Sequence, residues 1–137
     1  MADLWMGQDA PDILLTRLTD ALRDDGTVVR TSVPDGWTPG DGYLVIVNGD
    51  GPQRSARGTD RELVRVTCRA RDQWTARKIM QLIDSWLTTP GIQFLGLSII
   101  RSRGTGIISG PDSLVGGAFA SATYSVGTTR KVVSHGA

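Results

Sequence analysis

One cysteine, Cys68, and one histidine, His135, are all the thiol and imidazole chemistry in 137 residues. A single thiol excludes an intrachain disulfide, and with one imidazole it cannot close a zinc cage within one copy. A nucleophile relay of the serine-hydrolase type would have to be built on His135, in a stretch that reads as a loose tail rather than the rigid scaffold such a relay needs. Long apolar runs are also missing. None approaches the roughly 20 residues that span a bilayer, and Met1 to Gln8 lack the basic and apolar regions of a signal peptide. The expectation is a chain that is neither exported nor inserted in a membrane. Excess charge is absent too: 15 basic and 14 acidic residues leave +1, which argues against gripping nucleic acid by massed phosphate contacts. Lysine is scarce beside arginine, which we attribute to codon usage in a GC-rich genome.

What is present is an uneven charge distribution. Residues 1 to 25 hold six aspartates against Arg17 and Arg23, whereas residues 53 to 78 hold seven arginines and Lys78 against Asp60, Glu62 and Asp72. The front is acidic and the middle basic. Such asymmetry can steer a head-to-tail contact between identical subunits, although charge runs are by default solvated surface.

Asp9-Ala10-Pro11-Asp12 reads as a helix start, with a capping aspartate, a proline in the first turn and a second acid near the positive dipole end. Leu14, Leu15, Leu18, Ala21 and Leu22 then share a face, and Gly26 is the expected stop. Val28, Val29 and Val33 predict a first strand, and Tyr43 to Val47 a central strand covered on both faces. A polar loop is expected from Asn48 to Asp60. From Arg61 to Arg71 residues alternate, with Val64, Val66, Cys68 and Ala70 on one side and the arginines on the other. Asp72 can cap a second helix whose apolar arc holds Ala76, Ile79, Met80, Leu82, Ile83, Trp86 and Leu87, closed by Pro90-Gly91. Phe94 to Ser102 and Ala118 to Val126 predict two closing strands joined by a glycine-rich loop, Arg103 to Gly117. The pattern gives an α+β fold: a mixed, largely antiparallel sheet of about five strands with two helices packed on one face. A single domain over 1–127 and a C-terminal tail over 128–137 are expected, and the sheet face without helices reads as polar from Arg65, Thr67, Arg69, Ser121, Thr123 and Ser125.

No catalytic, cofactor or metal residues emerge. Cys68 falls on the apolar side of its strand, where a thiol behaves as a small hydrophobe. Asp60 with Glu62 reads as a solvated turn pair, with nothing to raise a carboxyl pKa. Gly104 to Gly110 follows a strand, but it lacks the Gly-Lys-Ser/Thr of a phosphate loop and the helix of a dinucleotide site. It reads as a mobile or partner-ordered loop. Trp74, among Lys78, Gln81 and Ser85, marks either an interface or packing beneath a loop, and Trp5 and Trp37 share that ambiguity. Arg61, Arg65, Arg69 and Arg71 can pair with the acidic first helix of a neighbour (Asp12, Asp20, Asp24), line a nucleic-acid channel, or form a wet face.

The amphipathic helix Asp12 to Arg23, the step Ser32-Val33-Pro34 before Tyr43-Leu44-Val45-Ile46-Val47, the strand Leu63 to Ala70 running into the helix Thr75 to Leu87, and the paired closing strands with their long loop form a combination. In order, size and spacing, over roughly Pro11 to Gly127, it resembles the tail terminator, or tail completion, proteins of long-tailed bacteriophages. The resemblance implies a structural virion protein without enzymatic activity or cofactor. Such a protein assembles in the host cytoplasm as a ring, typically of six subunits, that caps the head-proximal end of the tail, ends tube polymerisation and docks the head. Its implied partners are its own copies, the tail tube protein and a head completion or connector protein, with DNA in the lumen held without sequence-specific contacts. Within the loops, Arg103, Ile107 and Ile108 are candidate tube or connector contacts. A head-closure or connector subunit of the neck is the alternative within phage structure. From another class, a small ligand-binding or enzymatic α/β domain would require a pocket.

Overall fold

A computed structural model of the chain describes residues 2–6, 9–22, 28–53, 59–89, 97–101, 106–113, 116–129 and 131–135. Helix α1 (Ala10–Ala21) starts where expected. Asp9 is extended and its carboxylate accepts from the Asp12 N–H at 3.4 Å, with Pro11 in the first turn. Leu22 closes the helix, its N–H donating to the Leu18 carbonyl, so α1 ends before Gly26, which lies outside the described residues. Leu14, Leu18 and Leu22, four residues apart, are buried; Ala21, off that line, is exposed. Helix α2 (Gln73–Thr88) is capped by Asp72, which accepts from the Thr75 N–H at 2.8 Å and the Thr75 hydroxyl at 3.0 Å. These bonds favour the ionised carboxylate and hold the Asp72 pKa below its usual value.

The main sheet runs β2 (Val28–Arg30), β3 (Leu44–Gln53), β4 (Thr59–Ala70), β7 (Ala118–Thr129), β5 (Leu97–Arg101). β6 (Ile108–Pro111) pairs with the other half of the β7 edge that β5 occupies. Among the described strands only β2 and β3 pair in parallel. The alternation read in β4 is obeyed: Val64, Val66, Cys68 and Ala70 are fully buried, and their register partners Tyr124, Ala122, Ala120 and Ala118 extend the same face across β7. Both helices pack there, in one apolar cluster with β3 Val45 and Val47. The α+β class is therefore as the pattern requires.

Four expectations fail. The predicted loop 48–60 is mostly strand, because β3 runs on to Gln53 and pairs with β4 through a register shift between Gly49 and Gly51; its glycines and Pro52 have low strand propensity, and cross-strand pairing overrides it. The glycine-rich segment contains β6. Of the expected tail 128–137, the described residues are strand: β7 reaches Thr129, and β8 (Lys131–His135) pairs antiparallel with β1 (Ala2–Met6), from Ala2 opposite His135 to Met6 opposite Lys131. No local pattern foretells a pairing between segments so far apart in sequence. Lastly, Val33 falls beyond the end of β2.

The face opposite the helices is polar only in part. Arg65 is exposed and Thr67, Arg69 and Thr123 are half-buried, but Ser121 and Ser125 are buried. Leu44 and Ile46, in register with Arg69 and Thr67, are buried as well. The predicted central strand is thus covered on both sides from Leu44 to Val47.

Candidate functional site

On the helix-free face lies an open cleft of about 360 Å³. β4 supplies Arg65, Thr67 and Arg69, β7 supplies Phe119 and Ser121, and the β6–β7 hairpin supplies Ile108, Pro111 and Asp112. The floor is a hydroxyl pair, Thr67 Oγ1 and Ser121 Oγ at 3.0 Å. One hydroxyl proton is spent between them, and the accepting hydroxyl keeps its own to donate. Arg69 Nη1 is salt-bridged to Asp112 Oδ2, and the Asp112 side chain is only 4% exposed. Arg69 Nε is buried without a hydrogen-bond partner, so the side chain is held by its terminal contact and by packing. The charges of Arg69 and Asp112 cancel; Arg65, in the same cleft, is exposed. Arg65 and Arg69, alike in the strand alternation, are therefore unlike in structure.

The described residues of the hairpin that walls the cleft are tied to the rest of the chain, where a mobile or partner-ordered loop is the expectation. The Asp112 N–H donates to the Gly117 carbonyl at 3.0 Å and the Gly116 N–H to the Asp112 carbonyl at 3.1 Å. Gly116 and Gly117 both have positive φ, +81° and +73°. At Gly117 a Cβ would run into the Ala70 carbonyl oxygen, so the turn packs onto the end of β4. Gln73 Nε2 of α2 donates to Ser109 Oγ at 2.9 Å. Within β6 the strand alternation separates two neighbours: Ile107, just before the strand, packs against the core cluster, whereas Ile108 is 64% exposed beside the cleft. Ile107 is thus partly buried against the core, and of the two isoleucines Ile108 is the more exposed.

The other candidates scatter. Asp12 and Asp20 are exposed on α1, across the sheet from Arg65. Arg71 lies past the end of β4, in a separate hollow of about 230 Å³ with Pro39, Tyr43 and Thr75, so it does not continue the arginine row. Arg61 belongs to β4, opposite Gln53 and Gly127; Asp24 and Arg103 lie outside the described residues. Trp74 is 70% exposed and carries Lys78 Nζ 5.3 Å above its ring, a cation–π pair that answers the ambiguity against packing beneath a loop. Trp37 is half-buried.

One acid departs from its sequence reading, and another, Asp84, was not singled out by it. Glu62 lies on a strand rather than in a turn, and its pKa is raised, first by burial and then by Asp9. Asp84, on α2, is buried and accepts from the Tyr124 hydroxyl at 2.8 Å. Burial pushes the Cys68 thiol up to about 12, which leaves it protonated and unreactive near neutrality. Among the described residues no group of three His, Cys, Asp or Glu could hold a metal ion, and no helix is long and apolar enough to cross a membrane. Sequence reasoning missed Asp112 and Phe119; nothing in the chain links Asp112 to Arg69, 43 residues away. No known family's sequence model matches this chain, and no curated protein matches it.

Proposed function

We propose that this chain is a structural virion subunit resembling a phage tail terminator. It joins its own copies head to tail in a ring, six in the family it resembles, that caps the tail tube, ends its growth and docks the head. The observation that carries this reading is the separation of unlike surfaces across one sheet. Exposed Asp12 and Asp20 of α1 lie on one side, and Arg65 with the exposed Ile108 on the other. Surfaces on opposite sides of a protomer cannot meet within it. Between successive copies they can, and repeated unlike contacts generate a ring when the rotation between copies closes.

Sedimentation and negative-stain electron microscopy of the purified protein test the reading. The expected result is a ring with a lumen that shortens tubes when added to polymerising tube protein. A compact monomer at every concentration, without effect on tube length, overturns it. Arg65→Glu is the informative charge reversal, since reversing Arg69 would also break its bridge to Asp112 inside the protomer. A second reading, a binding site for a small anion, has the cleft in its favour: its volume falls in the range of ligand sites, and Arg65 and the Thr67–Ser121 hydroxyls suit an oxyanion. A monomer that binds such an anion in the cleft would favour it.

A further inference from the structure

Helix α2 turns one ridge away from the sheet. Trp74, Lys78 and Leu82 follow one another at four-residue spacing and all three are exposed, Trp74 at 70% and Leu82 at 58%. The helical pattern assigns Leu82 to the buried arc, but it rims an apolar notch between the end of α1 and α2. Rows of residues four apart are the ridges by which helices interlock. We propose that this ridge docks an acidic amphipathic helix of another protein. The inference goes beyond the ring reading and does not rest on it.

Single surface hydrophobics need no explanation, and exposure says nothing about what covers them. Charge does. α2 carries three charged residues, Arg77, Lys78 and Asp84. Asp84 is buried and accepts from Tyr124, and Asp72, at the N-cap, is held by the Thr75 N–H and hydroxyl. The exposed side of the helix is therefore left with two cations and no acid of its own. Among the described residues no hydrogen bond or ion pair engages Arg77, and Lys78 contacts only the Trp74 ring. A carboxylate on a partner can meet either cation while an apolar side chain next to it packs on Trp74, and tryptophan and arginine are enriched where binding energy concentrates. The cation–π contact also fixes the Trp74 ring before any partner arrives, which lowers the ordering cost of association.

The described surfaces of a second copy do not fit. An α2 against an α2 sets cation against cation. α1 has exposed acids, but the large hydrophobics exposed among the described residues are Tyr43, Trp74, Leu82 and Ile108, none of them on α1, so it offers no apolar side chain to lay on the ridge. A lipid surface fits no better, because the broad apolar face that a bilayer would bury is already packed on the sheet.

The test is a selection on the full chain. Yeast-displayed helical peptides of about 18 residues carry leucine along one face and Glu, Lys, Gln or Ser at random elsewhere. Selected sequences should be rich in glutamate. They should bind Trp74→Ala at least ~10-fold more weakly than the unaltered chain, and Ile108→Ala, on the helix-free side of the sheet, without change. On the double variant Arg77→Glu with Lys78→Glu the same selection should turn to lysine. Selection of no peptide, glutamate at its starting frequency, or equal binding by Trp74→Ala overturns the proposal. So does an oligomer that Trp74→Ala dissociates in sedimentation, which would put a second copy on the ridge, and so does binding to vesicles of anionic phospholipid that depends on Trp74.

Discussion

Glu62 lies at the point where β4 passes the start of α1: its Oε2 and the Pro11 ring both crowd the same glycine, Gly49. Burial and the neighbouring charge of Asp9 raise its pKa above the ordinary 4.5. The sign follows from linkage. In the window above 4.5 the folded state binds more proton than the unfolded chain, so stability falls as pH rises through that window. Replacing Glu62 with Gln should remove this component, flattening the pH dependence of the urea midpoint there and raising the midpoint near neutrality; an unchanged profile would show that the carboxylate is solvated after all. At Tyr124 the chemistry is a buried donor to an acid. Tyr124→Phe removes the bond to Asp84 that ties β7 to α2 and should cost about 2 kcal/mol in urea unfolding. Cys68 offers no such handle, because its strand alternation already names it a packed thiol.

At the scale of elements, the β6–β7 hairpin makes the sharpest comparison. Gly116 and Gly117 have nearly the same positive φ, but a methyl at Gly116 meets open space while one at Gly117 meets the Ala70 carbonyl and the Pro39 ring. Gly116→Ala should therefore cost about 1 kcal/mol, the left-handed penalty alone. Gly117→Ala adds a backbone collision and should cost several times that, about 3 kcal/mol or more. Equal thermal midpoints for the two variants would mean that the hairpin does not rest on β4. The helices were legible because their signals are local: Asp9 and Asp72 cap where an aspartate before an apolar period should, and Leu14, Leu18, Met80, Ile83 and Leu87 keep the spacing. β6 and β8 were not, because a four- or five-residue strand with glycine, proline or mixed polarity becomes a strand only through its partner, β7 or β1.

At the scale of the molecule, the sheet is a partition. It keeps the exposed Asp12 and Asp20 of α1 away from Arg65, so the proposed head-to-tail contact is one between successive copies. Exposed charges more than about 8 Å apart are screened at physiological salt. Oligomers held by Asp12, Asp20 and Arg65 should accordingly loosen when sodium chloride is raised from about 0.05 to 0.5 M, read as a falling weight-average mass in sedimentation. Arg65→Glu should abolish that salt response together with most of the association. An oligomer indifferent to salt would mean that these charges do not carry the contact.

The amino-acid order by itself determined both helices and their caps, the alternation of β4, the burial of Cys68 and the apolar stretch of β3, because each is written in spacing over a few residues. Only the tertiary structure decided that Arg69 is bridged to Asp112, that Ile107 packs against the core and Ile108 is exposed, that Leu82 rims a notch, and that residues 2–6 and 131–135 pair as β1 and β8. Each of these joins residues distant in sequence, and a residue's own pattern carries no record of which distant neighbour the folded chain will bring to it.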